Sequence, residues 1–252
     1  MKPILSGSRT LAELADAVFP PLCPLCRAPE PGDGLGCAEH RLPLAPPGPR
    51  CGRCAGALPD PIADGERCAD CRLEPPSFSR TIALADYRAQ PASRAWILAL
   101  KHGRRPDLAL TLGRALGVRL AAAARSEGED PPFLVPVPLH PLRRFERGYD
   151  QALLLARAAG EVEGLLVLRA LRRARFTAVQ GSPGAPSRSA NVSGAFRERW
   201  SWPRASRRLA GREAWLVDDV VTSGATASEC ARALKRLGAS RVGVLAVARA
   251  SG

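Results

Sequence analysis

The run Trp215-Leu-Val-Asp-Asp-Val-Val-Thr-Ser-Gly-Ala-Thr226 carries the most chemistry in the chain. Two adjacent carboxylates, Asp218 and Asp219, follow an apolar stretch and precede a turn of small, hydroxylated residues. Carboxylates so placed can accept hydrogen bonds from a vicinal pair of hydroxyls. A turn that opens a helix offers free backbone N–H groups and the positive end of the helix dipole, which together hold a phosphate. Gly224 permits close backbone approach, and Thr222, Ser223 and Thr226 add hydroxyl donors on either side of Ala225. The set describes a cradle for a ribose 5-phosphate. It is no Walker loop, which needs Gly-Lys-[Ser/Thr], and it lacks the Gly-x-Gly-x-x-Gly of dinucleotide binding.

A second chemistry lies nearer the N-terminus. The cysteines read Cys23-Pro-Leu-Cys26, Cys37-Ala-Glu-His40, Cys51-Gly-Arg-Cys54 and Cys68-Ala-Asp-Cys71. Two C-x-x-C turns complete one tetrahedral zinc site. The expected sets are Cys23, Cys26, Cys37 and His40 on one Zn²⁺, and Cys51, Cys54, Cys68 and Cys71 on another. His40 also suits an exposed loop, which would leave a three-cysteine site. Disulfides are the alternative, but C-x-x-C spacing in a chain expected in the cytosol favours metal. No Glu or His stands at a spacing suited to activating water, so the zinc is expected to be structural. Cys230 falls inside a helical pattern, where a buried, inert thiol is expected.

These groups need elements to position them. From residue 81 the pattern alternates. Strands are expected at 81–87, 133–138, 165–169, 214–218 and 241–248, and helices at 92–101, 108–124, 151–159 and 226–237. The continuous apolar run before Asp218 suits a strand buried on both faces. Strands separated by helices imply a parallel, doubly wound sheet, in which ligands bind beyond the carboxyl ends of the strands.

Length and composition bound the rest. With 252 residues, 46% hydrophobic and 24% charged, the chain is an ordinary globular protein of one or two domains. No apolar run approaches the roughly 18 residues needed to span a bilayer, and residues 1–21 make a poor signal peptide. The net charge of +13 is unevenly spread. Residues 1–80 hold nine basic and ten acidic residues, whereas residues 81–252 hold 28 and 14. Arg169–Arg212 alone has eleven Arg against one acid, Glu198. Fourteen of the 24 prolines fall in residues 1–76. Two domains are therefore expected: a Cys-rich zinc-ribbon domain, 1–76, too small to hold together without a staple, and an α/β domain, 77–252.

The Asp-Asp-turn-Thr signature resembles the phosphoribosyl pyrophosphate (PRPP) motif of type I phosphoribosyltransferases. Adding Leu134–Gln151, Arg173–Gln180 and Arg188–Phe196, the chain resembles the ComF family from Cys23 to Arg249. His40 stands where that family usually has Cys, and Asp150 where it often has Asn. The resemblance implies a type I phosphoribosyltransferase-like parallel sheet flanked by helices, with a small N-terminal zinc-ribbon unit. It implies that Asp218 and Asp219 hold the ribose of PRPP with Mg²⁺ present, and that Thr222–Thr226 hold its 5-phosphate. Lys101, Arg143, Arg144 and Arg147 would meet pyrophosphate or phosphate. Arg173, Arg175, Thr177, Gln180, Arg188 and Asn191 would form a hood loop over the site. Lys101 and the 140–150 loop also read as plain solvated charge, and Trp200 and Trp202 as core or as a stacking surface.

Two activities follow from the resemblance. One is pentosyl transfer from PRPP to an acceptor. The other is a non-catalytic module that senses PRPP or binds single-stranded DNA. A role in DNA uptake during natural transformation, with competence DNA-uptake proteins as partners, goes with both. An amidotransferase activity is not expected, because it uses a glutaminase with an N-terminal cysteine nucleophile. The arginine-rich stretch adds a physical basis for nucleic-acid contact, since guanidinium groups neutralise phosphates and stack on bases.

Overall fold

The computed structural model describes residues 20–59, 62–123, 131–174, 194–199 and 202–250. Backbone contacts divide the chain into two compact units between Leu42 and Pro43. The first unit is a short knuckle. A bridge pairs Leu22 with Pro29, Leu42 donates its N–H to Leu35 O (2.8 Å), and Cys23 and Leu42 are buried.

The second unit contains the sheet. Its elements are α1 (Ala69–Leu73), β1 (Arg80–Asp86), α2 (Pro91–His102), α3 (Leu108–Ala123), β2 (Phe133–Pro136), α4 (Pro141–Arg147) and α5 (Gln151–Glu163). These are followed by β3 (Leu171–Arg173), β4 (Phe196–Glu198), α6 (Trp202–Leu209), β5 (Glu213–Val221), α7 (Ala225–Arg236) and β6 (Arg241–Arg249). Four strands form a parallel sheet in the order β1-β6-β5-β2, and β3 and β4 form a separate antiparallel pair. This is the α/β architecture that the alternation implied, with β5 at its centre. Ala214–Val217 of β5 are all buried, as a parallel strand covered on both faces requires.

Alternation along β2 shows the two coverings. Phe133 and Val135 join Leu216, Val244, Cys230 and Leu234 in one core. Leu134 points the other way, toward Gly160 of α5. On that side α3 and α5 approach closely, because a Cβ on Gly113 would stand 2.7 Å from Leu155 O and one on Gly117 2.6 Å from Ala159 O. The two glycines therefore set how near the helices come.

Two expectations are modified. The segment 165–169 is not a full strand but a single bridge, Val167 to Leu134. Leu134 donates to Leu166 O (3.0 Å), so the N–H positions of 134, 136 and 138 all face that edge. Pro136 and Pro138 have no N–H there, and the ladder ends. The segment after β2 is also more regular than an expected loop. His140 caps α4 through Nδ1, which accepts from Leu142 N–H (3.3 Å), Pro141 fits its first turn and Gly148 closes it at φ +79°. Among the described residues no helix is long and apolar enough to cross a membrane.

Candidate functional site

The site forms where β5 ends. Thr222 and Ser223 lead into Gly224, which takes φ +78° at the start of α7. Gly224 offers no side-chain cap, so the N–H groups of Thr226 and Ala227 in the first turn of α7 are left for a ligand. Gly224 is doubly required. Its dihedral suits glycine, and a Cβ there would meet the Phe78 ring at 3.3 Å. Ser223 Oγ accepts from Ala225 N–H (3.4 Å). Thr226 is half-buried on the same turn.

Asp218 and Asp219 lie within β5 rather than after it, because the strand runs on to Val221. Asp219 is buried, with its side chain 6% exposed. Its Oδ1 lies 2.9 Å from Lys101 Nζ, and its Oδ2 accepts from Gln151 Nε2 (3.1 Å). Its own N–H donates to Asp218 Oδ1 (2.8 Å). Burial and then the charge of Asp219 push the Asp218 carboxyl up to about 7, against the opposing pull of Lys101. The pair is thus asymmetric. Asp219 is anchored, and Asp218 lacks an ion-pair partner of its own among the described residues.

Lys101 was expected on a phosphate, yet the fold sets it on Asp219. It comes from the last turn of α2, and Tyr149 ties that turn to the segment after α4 by donating its hydroxyl to Leu100 O. Arg143, Arg144 and Arg147 are carried on α4, beyond the carboxyl end of β2. Arg173 of β3 lies within electrostatic reach of Arg143 and Asp218; burial first, then Arg143, lowers its pKa. Arg175, Thr177, Gln180, Arg188 and Asn191 lie outside the described residues, as does Trp200.

Two residues with no role in the sequence reading join the site. Gln151 fixes Asp219, and its Oε1 is a buried acceptor without a partner among the described residues. Phe78 floors the Gly224 turn. Gln151 had a signal, since it closes the motif Leu134–Gln151, but Phe78 had none.

The cysteines gather as expected. Cys23, Cys26, Cys37 and His40 form one cluster, and Cys51, Cys54, Cys68 and Cys71 another, each with ligand atoms within 4.8 Å of one another. A tetrahedron with Zn–S near 2.3 Å has S···S edges of about 3.8 Å. Cys26 and Cys37 sulfurs are 3.7 Å apart, Cys54 and Cys68 3.8 Å, and Cys37 Sγ is 3.6 Å from His40 Nδ1. These are metal-edge separations, far from a disulfide bond, and all these thiols are free. Against burial, which raises it, the N–H groups of Cys54, Cys68 and Arg53 hold Cys51 down at about 6. Burial and the Cys54 charge push Cys71 up. Ligand atoms so placed can hold a cation between them, and both sets fit zinc.

The sequence is 33% identical over 241 residues to the DNA utilization protein YhgH of Salmonella typhi, covering 91% of this chain and 97% of that one. It is 35% identical to the Escherichia coli K12 protein of the same name, over 72% of this chain and 77% of that one. Competence protein F of Haemophilus influenzae is 29% identical over 80% of this chain and 85% of its own length. The chain belongs to the ComF family. No protein-family model matches it. Among solved structures, the allosteric regulatory enzyme of purine biosynthesis overlaps 54% of this ComF-family chain and 25% of its own, at 19% identity and a TM-score of 0.34. At that distance the likeness adds nothing to the topology described above. At 91% of the chain, the Salmonella typhi match is long enough to take in the Cys51–Cys71 cluster and the Asp218–Thr226 turn.

Proposed function

We propose that this protein binds PRPP with Mg²⁺ at the carboxyl end of β5 and acts in DNA uptake, as the words "DNA utilization" and "competence" in its relatives' names suggest. The observation that carries the reading is the juxtaposition of Asp218 and Asp219 with the Gly224 turn that opens the 12-residue α7. Asp218 and Asp219 hold the ribose hydroxyls. The Thr222–Thr226 turn holds the 5-phosphate. Arg143, Arg144 and Arg147 meet the pyrophosphate. The Asp218 and Asp219 carboxylates are the residues that would sit beside Mg²⁺, which would supply positive charge to a departing pyrophosphate.

The rest of the assignment follows. Each cysteine cluster holds one structural Zn²⁺. The zinc-bearing segment 1–76 precedes the phosphoribosyltransferase-like domain 77–252. Cysteines gathered as metal-ligand sets rather than as disulfides suit the cytoplasm. The test is thermal unfolding: PRPP with Mg²⁺ raises the midpoint of the wild type, and Asp218→Asn with Asp219→Asn, which keeps shape and removes charge, abolishes the rise. An unchanged wild-type midpoint sinks the proposal. A second reading keeps the ligand and drops the chemistry, leaving a PRPP-sensing module. The relatives' names support it, since they mention DNA and no transfer reaction. Release of pyrophosphate, assayed with candidate acceptors including single-stranded DNA, separates the two.

A further inference from the structure

A cavity of about 460 Å³ adjoins the Gly224 turn, within the roughly 300–1,000 Å³ of pockets that take small molecules. Ser223, Gly224, Ala225 and Ser228 line it from the start of α7, and the end of α1 with Pro75 and Pro76 lines it from the other segment. Its polar groups are under-used. The carboxylates of Asp70 and Glu74, one helical turn apart, make no hydrogen bond or ion pair among the described residues. Ser228 is only 9% exposed. Its Oγ accepts from Ser77 N–H (2.9 Å) and from Arg232 Nη1 (3.5 Å), and neither contact uses its own proton. Arg232 gives Nε (2.9 Å) and Nη2 to Glu229, while its Nη1 has only long contacts with the Ser77 and Ser228 hydroxyls (3.4 and 3.5 Å). Leu73 is 85% exposed and, with the two prolines, gives the cavity an apolar surface.

Glu229 matches the charge of Arg232, so Asp70 and Glu74 leave the lining with an excess of negative charge. The phosphate cradle and the cavity share the Ser223–Ala225 turn, yet they ask for different chemistry. The occupant needs donors for two carboxylates, an apolar face, and an anionic end where the cavity meets the turn. Inorganic phosphate or pyrophosphate meets only the last. A nucleoside meets the first two, because its hydroxyls and ring amines donate and its base is flat and apolar on both faces. We infer, resting on the ribose-phosphate reading of the β5 turn, that this cavity is a nucleoside pocket and that the site takes a nucleoside diphosphate ribose in competition with PRPP. The ribose 5-phosphate end of that ligand lies on Asp218, Asp219 and the Thr222–Thr226 turn. Its second phosphate takes the Ser228 hydroxyl and Arg232 Nη1, a charge-assisted pairing. Its nucleoside lies against Leu73 and the prolines and donates to Asp70 and Glu74. Such a ligand has no pyrophosphate at C1, so it occupies the site without reacting.

Titration calorimetry on the full-length, zinc-loaded protein tests this, with ribose 5-phosphate, PRPP and ADP-ribose as probes and Mg²⁺ present. ADP-ribose binds at least about tenfold more tightly than ribose 5-phosphate, the gain expected of one or two charged hydrogen bonds, and PRPP displaces it. Asp70→Ala with Glu74→Ala, at two exposed positions, brings ADP-ribose down to the affinity of ribose 5-phosphate. The same variant binds ribose 5-phosphate and PRPP as the wild type does, and its zinc content, measured by elemental analysis, is unchanged. Wild-type protein that binds ribose 5-phosphate but binds ADP-ribose no more tightly overturns the nucleoside pocket alone. So does ADP-ribose that PRPP fails to displace, or that the double variant binds as tightly as the wild type. Wild-type protein that binds neither ribose 5-phosphate nor PRPP overturns the ribose-phosphate reading and the pocket with it.

Discussion

Asp218 and Asp219 are neighbours in sequence with opposite situations. Asp219 spends its charge on Lys101 and Gln151, whereas Asp218 sits in a setting that resists ionisation, with its pKa pushed up to about 7. A carboxyl whose native pKa lies above its unfolded value keeps its proton longer in the folded state. Stability therefore falls as pH rises from about 4 to about 7. Asp218→Asn removes that fall. Its thermal midpoint exceeds the wild type's at pH 8 by about 2–4 °C for each kcal/mol recovered, and the difference shrinks toward pH 4. Hydroxyl groups donate best to the ionised carboxylate, so the midpoint rise given by PRPP and Mg²⁺ is larger at pH 8 than at pH 6. Lys101 gives the complementary case. Lys101→Met leaves a buried carboxylate with Gln151 as its one side-chain partner among the described residues, at a cost of about 1–3 kcal/mol. Adding Asp219→Asn restores much of it, and a double-mutant cycle in urea measures the difference. The two carboxylates were legible from their types and spacing. Their asymmetry was not, because it depends on a lysine more than a hundred residues away in sequence.

At the level of elements, the strand–turn–helix around Gly224 was the easiest feature to read. One run of residues contains the buried strand, the glycine and the helix start, so local chemistry fixes it. Gly224→Ala carries two costs, a left-handed dihedral and the Phe78 ring at 3.3 Å. It is expected to lose at least about 1 kcal/mol of stability and to weaken PRPP binding, both visible in a thermal titration. The edge of the sheet was harder. The apolar run 165–169 resembles a strand, but its partner edge has prolines at alternate positions, and pairing stops after one bridge. The reverse held for α4, where a charge-rich segment concealed a helix set by His140, Pro141 and Gly148. Apolar periodicity finds elements that face a core. It has no purchase on a helix that buries nothing.

For the molecule as a whole, composition and contact divide the chain differently. Cysteine, proline and charge change near Pro76, while backbone contacts divide it after Leu42. The segment between carries the Cys51–Cys71 cluster and packs with the sheet. Buried Arg249, at the end of β6, explains part of that packing. Its Nε donates to Cys54 O (2.9 Å), and its Nη1 to Val221 O (3.3 Å), the last residue of β5 before the Thr222 turn. Arg50 and Asp86 add a second tie, a largely buried ion pair at 2.8 Å. One guanidinium thus joins the carbonyl of a metal-ligand residue to the strand that ends at the phosphate cradle. If that join holds the turn in place, losing the metal and losing the arginine should harm the same function by different routes. Cys54→Ser with Cys71→Ser lowers zinc content by one per chain and reduces the midpoint rise given by PRPP. Arg249→Met keeps the zinc, measured by elemental analysis, and reduces the same rise. A variant that loses zinc yet responds fully to PRPP would show that the cluster staples its own segment and nothing more.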